Sequence, residues 1–380
     1  MYHGKIIRRI ASLLILGAVL ASVGCSIAPR LTLATGAPGF NQTRFMALVA
    51  ETSKTRRNIH SLIIERQGQI VVELYRNGSN TYLSNGGGLF NLWSTIGPET
   101  LHDVRSSTKS VLALLAGTVL ARHPEYSIHS RIVDFPELAA KVPKWAQDLE
   151  LRHFMNMSSG FSWKEWGQSM ITSDETRLIW KRDPVRYSLD RPVTSLPGIV
   201  FNYSGGSTFI VSRMLELIDG RSIAEIAKSD LFEPLGITDW RWGKGWNGYY
   251  LPNAGIGLRS RDMLKIGELM LAHGSWQGRQ VIPAAWVDEV TAPLIRVQTT
   301  AFDLDEQGTS YGYFWWNGTV DIQGQRTRWY STVGNGGQKI FVVPSLELIV
   351  IMTGGEYGSL RMQIWETGLL REIIASVVSE

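Results

Sequence analysis

Two stretches rich in β-branched residues lie near opposite ends of the chain. In the first, Ser61-Leu-Ile-Ile-Glu-Arg66 and Gln69-Ile-Val-Val-Glu-Leu-Tyr75 flank Gln67-Gly68. Two such runs around a short turn predict a hairpin. In the second, Lys339-Ile-Phe-Val-Val343 and Glu347-Leu-Ile-Val-Ile-Met352 flank Pro344-Ser-Leu and predict another. A closing stretch over 360–377 sets Ile364, Leu369, Leu370, Ile373 and Val377 at helical spacing. Between the hairpins the pattern is mostly helical, broken by long loops dotted with Trp and Gly, with no internal repeat. Strands at both ends with helices between them predict an α+β fold. Its core is one antiparallel sheet built from both chain ends and flanked by helices, with a mostly helical region of roughly 123–330 inserted.

Composition adds bounds. Hydrophobic residues make up 44% of the 380 positions and charged residues 19%, the balance of a globular chain with a sizeable core. Disordered, collagenous and coiled-coil classes are excluded. Lys5, Arg8 and Arg9 account for three of the four net positive charges, so nothing in the remainder points to nucleic acid. Those cations precede an apolar run over 10–23, too short for a membrane-spanning helix. Residues 1–24 therefore read as an export signal. The run ends in Ser22-Val23-Gly24-Cys25, and Cys25 is the single cysteine, which excludes an intramolecular disulfide and a cysteine-based metal cluster. This boundary resembles a bacterial lipoprotein signal, which implies lipidation of Cys25 and a membrane anchor that does not span. A plain secretory signal cut nearby, for example after Ala28, is the alternative. Either way the expected location is the cell envelope, facing the periplasm, with Ser26 pointing to the outer membrane if there is one. Residues 25–42 read as a tether, and 43–380 as a single domain.

Candidate chemistry concentrates in Val104-Arg-Ser106-Ser-Thr-Lys109, which opens an apolar helix over 111–121. A helix apolar on every side is buried on every side. A lysine in its first turn is then costly: an unpaired buried ammonium is destabilising by several kcal/mol or gives up its charge. Ser106 and Lys109 are three apart, on one helical face. Ser106 also lies where free N–H groups and the helix dipole stabilise developing negative charge. A neutral Lys109 that takes the Ser106 proton makes the serine a nucleophile. The bland alternative is an N-cap serine and a lysine that snorkels into solvent.

The whole run resembles the first motif of the serine β-lactamase and penicillin-binding-protein superfamily, on the branch with class C β-lactamases, D-alanyl-D-alanine carboxypeptidases, esterases and 6-aminohexanoate-oligomer-hydrolase-like enzymes. The resemblance covers roughly 58–378. Leu151-Arg-His-Phe-Met-Asn-Met-Ser-Ser-Gly160 is similar to the segment that follows the first motif. Leu189-Asp-Arg-Pro192 and Pro197-Gly198-Ile-Val-Phe-Asn-Tyr203-Ser-Gly-Gly-Ser-Thr208 resemble the approach to the second, and Gly334-Asn-Gly-Gly-Gln338 resembles the third. The resemblance implies a serine hydrolase with an acyl-enzyme and no metal or organic cofactor. Tyr203 matches the tyrosine of the Tyr-x-Asn motif and would relay protons. The N–H groups of Ser106 and Gln338 would form the oxyanion hole, and Asn335, Gly336 and Gly337 would line the substrate.

Two positions depart from that pattern. Gly205 stands where the family has the motif's asparagine, and neutral Asn335 stands where it has Lys or His. The latter removes the charge that attracts a β-lactam or peptide carboxylate. The resulting expectation is an esterase or amidase acting on a small ester, amide or peptide-like substrate. The alternatives are a carboxypeptidase or weak β-lactamase, and a catalytically idle envelope binding module. Gly243-Lys-Gly245-Trp-Asn-Gly248 matches a dinucleotide fingerprint only formally and reads as a loop, as Gly86-Gly-Gly88 reads as a turn. The scattered seven histidines suggest no metal site. Of fourteen tryptophans, Trp163, Trp166 and Trp180 are candidates for an apolar substrate wall or for ordinary packing.

Overall fold

A computed structural model describes residues 29–34, 39–80, 92–165, 172–298, 303 and 308–377. The leader, Cys25, Gly86-Gly-Gly88 and Trp166 lie outside the described residues. Among the described residues, no helix is long and apolar enough to cross a membrane.

The main sheet contains β1 (Arg30–Leu33), β2 (Ile59–Arg66), β3 (Gln69–Tyr75), β4 (Ile295–Arg296), β5 (Ser310–Tyr311), β6 (Trp316–Ile322), β7 (Gln325–Gly334), β8 (Gln338–Val343) and β9 (Leu348–Gly354). Its order is β1-β3-β2-β9-β8-β7-β6-β5-β4, antiparallel throughout. The two predicted hairpins meet at its centre, where β2 pairs with β9 in the register Ile64 to Val350 and Leu62 to Met352. Between β2 and β3, Gln67 and Gly68 have φ of 51° and 72°. Two left-handed residues make the tight turn whose twist matches the strands.

Six helices position the site: α1 (Gln42–Lys54), α2 (Ser107–Arg122), α3 (Asp174–Leu178), α4 (Gly205–Asp219), α5 (Ser260–Leu271) and α6 (Leu360–Ser376). Alternation along β8 shows how the sheet is covered. Lys339 faces Glu366 on α6, and a side chain at Gly267 on α5 would meet Ile340 from the other side. The helix α2 is wedged between β7 and α4, and every residue from Ser107 to Val119 is buried.

Two boundaries differ from the sequence reading. The expected tether contains β1, which pairs with β3 from Arg30–Tyr75 to Leu33–Val72. Four residues, three of them exposed, carry too little apolar alternation to reveal an edge strand. The inserted region also ends earlier than 330, because β4, β5 and β6 already belong to the main sheet. Two of these strands are two residues long, below the length at which periodicity is readable.

Candidate active site

The chain enters α2 through a strained corner. Arg105 has φ of 52°, a left-handed conformation that costs a non-glycine residue about 1–2 kcal/mol. Before it, the short strand His102–Asp103 pairs with Ile256–Leu258. The Val104 N–H donates to the Ile256 carbonyl at 3.0 Å, and the Ile256 N–H donates to Thr108 Oγ1 at 3.1 Å. These bonds bring the loop before Ile256, with Asn253 on it, against the first turn of α2.

Ser106 sits at the N-cap position, yet its side chain makes no capping bond. Its hydroxyl instead accepts a hydrogen bond from Lys109 Nζ at 3.0 Å. Lys109 is fully buried and does not snorkel. Its amine also donates to the Asn253 carbonyl at 3.0 Å and lies 4.7 Å from the centre of the Tyr203 ring. Both halves of the bland reading fail here. One sequence expectation needs correction: the ammonium is not unpaired. Glu165 Oε1 lies 3.7 Å from it and Glu175 Oε1, on α3, lies 3.9 Å away.

Tyr203 is buried just before α4 and shares a hydrogen bond with the Ser106 hydroxyl. Burial, and secondly the Glu165 charge, hold the phenol well above its ordinary range, while the Ser106 bond opposes them. Phe201, Tyr311 and Trp316 surround the ring at centroid distances of 6.4, 6.3 and 5.9 Å. The Glu165 carboxyl is pushed up to about 7, first by burial and then by the Glu175 charge. Lys109 and the N–H groups of Gly205 and Trp163 pull it the other way.

The third motif forms the turn from β7 into β8. Gly336 and Gly337 have φ of 96° and 108°. A Cβ on Gly336 would come within 2.5 Å of the Tyr357 ring, and one on Gly337 within 2.9 Å of Glu366 Oε1, so only glycine fits either place. Asn335 is exposed, but its Oδ1 accepts from the Gly358 N–H at 2.7 Å. Its amide oxygen caps a neighbouring turn. Gln338 is buried; its Nε2 donates to the Gly354 carbonyl at 2.5 Å, and its own carbonyl accepts from Ser107 Oγ at 3.4 Å. The start of β8 is thereby held beside the mouth of α2.

The tryptophans divide. Trp163 is buried and donates its indole N–H to Glu165 Oε2 at 2.9 Å, so it supports a site residue and is not a substrate wall. Trp180 is 62% exposed and stacks on Trp246 at 5.1 Å. The Gly243–Gly248 stretch is a loop, closed by a bridge between Lys244 and Tyr250. No motif or spacing in the sequence marks Glu165, Glu175 or Asn253. The one sequence signal that bears on them is Gly205, which leaves the place of the motif's amide to another residue.

The β-lactamase family model matches residues 61–359. A curated relative, the 6-aminohexanoate-dimer hydrolase of Paenarthrobacter ureafaciens, is 24% identical over 154 residues, 40% of this chain and 38% of the relative. The match thus spans well under half of that relative's length. Among solved structures, a Bacillus anthracis protein proposed to be a 6-aminohexanoate-dimer hydrolase aligns with TM-score 0.65 and 18% identity over 84% of this chain and 79% of its own. A family VIII carboxylesterase aligns with TM-score 0.64 and 16% identity over 91% and 99%. At that identity the two solved structures speak to the fold alone, which they share. The extent of the family match carries the assignment: the chain belongs to the β-lactamase family of hydrolases.

Proposed function

We propose that this hydrolase cleaves an ester or amide bond through an acyl-enzyme on Ser106. The observation that carries the reading is the 3.0 Å contact from Lys109 Nζ to a Ser106 hydroxyl that caps nothing. Lys109 rests as the cation paired with Glu165; once it has released its extra proton to solvent, the free amine takes the Ser106 proton as Oγ bonds to the substrate carbonyl carbon. The tetrahedral oxyanion lies against the backbone N–H groups of Ser106 and Gln338. Collapse breaks the bond to the alkoxide or amine, which leaves with a proton passed through Tyr203. Water then adds to the acyl carbon, gives up its proton to the same relay and releases the acid with Ser106 restored. The N–H groups of Ser107, Thr108 and Lys109 already donate to the carbonyls of Val104, Arg105 and Ser106, whereas that of Ser106 precedes this ladder and suits an oxyanion.

The names of similar proteins, an amide-cleaving dimer hydrolase and a carboxylesterase, support small amides or esters as substrates. Asn335, neutral and tied to Gly358, offers no charge for a carboxylate, which weighs against a carboxypeptidase or β-lactamase. The test is a fluorophosphonate probe and a panel of p-nitrophenyl esters and anilides on the leaderless protein. Labelling and turnover lost in Ser106→Ala support the reading. A folded wild type that neither labels nor turns over any substrate favours a binding module. Nitrocefin turnover above that of Ser106→Ala would restore the β-lactamase reading. We further propose that Cys25 carries a lipid anchor at the envelope; fatty-acid labelling equal in wild type and Cys25→Ala would refute it.

A further inference from the structure

The second motif has lost its amide, and the space that amide would fill is occupied. A Cβ built on Gly205 would lie 3.3 Å from Glu165 Oε2, 3.5 Å from Glu175 Cγ and 3.5 Å from Asn253 Cβ. All three residues also flank the amine of Lys109. The missing side chain therefore points at the group it is expected to hold, and a carboxylate stands in its way.

We infer that Glu165 is the positioning residue for Lys109, doing with a fixed charge what the motif's asparagine does elsewhere with an amide; this rests on the serine–lysine reading above. Its two oxygens have separate tasks. Oε2 accepts from the Gly205 N–H at 2.7 Å and from Trp163 Nε1 at 2.9 Å, which locks the carboxylate plane. Oε1 is left facing Lys109 Nζ at 3.7 Å. A side chain at position 205 would crowd Oε2, its Cβ starting only 3.3 Å away, so the glycine at 205 and the carboxylate at 165 form one arrangement. Glu175 is the weaker candidate. Its side chain is 30% exposed against 5% for Glu165, and its Oε1 also accepts from Asn253 Nδ2 at 2.8 Å.

A buried carboxylate stabilises the ammonium that forms as Lys109 accepts the Ser106 proton, and it does so more strongly than an amide dipole. The ionised form is the working form. Groups that face it are Lys109 on α2, Glu175 on α3, Tyr203 before α4 and Tyr311 on β5. With the Glu165 carboxyl pushed up to about 7, activity falls as pH drops through that value and the charge is lost.

The test uses p-nitrophenyl acetate hydrolysis across pH, with thermal melts to check folding, in Glu165→Ala, Glu165→Gln and the double variant Glu165→Ala/Gly205→Asn. A lysine misplaced by about 1 Å is expected to lower kcat roughly 100-fold in Glu165→Ala, with KM nearly unchanged. Glu165→Gln keeps the shape, loses roughly 10-fold and no longer shows the acid limb near 7. The double variant, which restores the family's amide where space has been cleared, recovers about 10-fold over Glu165→Ala. Glu165→Ala within threefold of wild type overturns the inference, and so does a double variant no better than Glu165→Ala. If Glu165→Ala fails to fold, the isosteric Glu165→Gln decides: an unchanged pH profile overturns the inference, and a lost acid limb supports it. Ser106→Ala separates the two levels. If it retains full activity, the serine reading itself fails; if it is inactive while Glu165→Ala is not, only the role of Glu165 fails.

Discussion

Replacing Lys109 by Met keeps the length of the side chain and removes its charge, with a consequence for stability that depends on pH. At an effective dielectric constant of about 20, opposite charges 3.7 Å apart attract by about 4–5 kcal/mol. Glu175 is nearly as close but 30% exposed, so its share is heavily screened. Relief from burying the ammonium offsets part of the loss, and breaking a buried pair costs about 3 kcal/mol net. That loss has a ceiling, because the Glu165 carboxyl is already pushed up to about 7 and takes a proton in place of remaining an unpaired anion. A carboxyl with a raised folded value binds more protons folded than unfolded, so its stabilisation is lost as pH rises through that value. Removing Lys109 takes away a charge that held the value down. Wild type and Lys109→Met should differ little near about pH 5.5 and by about 3 kcal/mol near about pH 8.5. Urea unfolding at the two pH values measures this. An equal loss at both, or none at either, would refute the account of Lys109 as a buried, carboxylate-paired cation.

On the proposed mechanism, in which the phenol passes protons while the ring keeps its aromatic packing, Tyr203→Phe should lower kcat roughly 100-fold with little change in KM or melting temperature; ester kinetics check it. Gly337→Ala places a Cβ 2.8 Å from Met362 Cε and 2.9 Å from Glu366 Oε1 at φ of 108°, and should destabilise by about 2 kcal/mol or more in urea unfolding. Away from the site, burial and then the nearby Glu268 push the Glu65 carboxyl up to about 8. Wild-type stability should therefore fall as pH rises from 4.5 through about 8, and Glu65→Gln should melt higher than wild type above that range.

What the sequence discloses follows from how local each signal is. Gln67-Gly68 between two β-branched runs is a turn written in adjacent residues, and the structure has it. The apolar run after Lys109 is likewise local, and its burial on every side follows from composition alone. Ser106 and Lys109 meet because one helical turn separates them. The Lys109–Asn253 contact closes over 144 positions, and no period or propensity links those residues. Glu165 is harder still, since no motif or period in the sequence singles it out. Only the packing of its loop against the start of α4 turns the carboxylate inward. Short strands such as Ile295–Arg296 are defined by the partner strand Ser310–Tyr311, since two residues are too few to show a period.

The two departures from the family's motifs have the same electrostatic sense, and together they change what the cleft can accept. At the third motif a cationic position is neutral, and Asn335 is held by Gly358. At the second, a neutral amide position is empty, and two carboxylates converge on Lys109. Both changes make the neighbourhood of Ser106 more negative than the family pattern does. An anionic substrate would lose an attraction at one end and meet repulsion near Ser106, which low internal dielectric makes worse. Neutral or cationic esters and amides meet neither penalty. The discriminating pair is a neutral ester and its analogue carrying a carboxylate at the far end. The neutral compound should be favoured in kcat/KM by roughly 10-fold or more, and Glu175→Gln should narrow the gap. Equal rates on the two would show that the field at Ser106 is set by something other than these carboxylates.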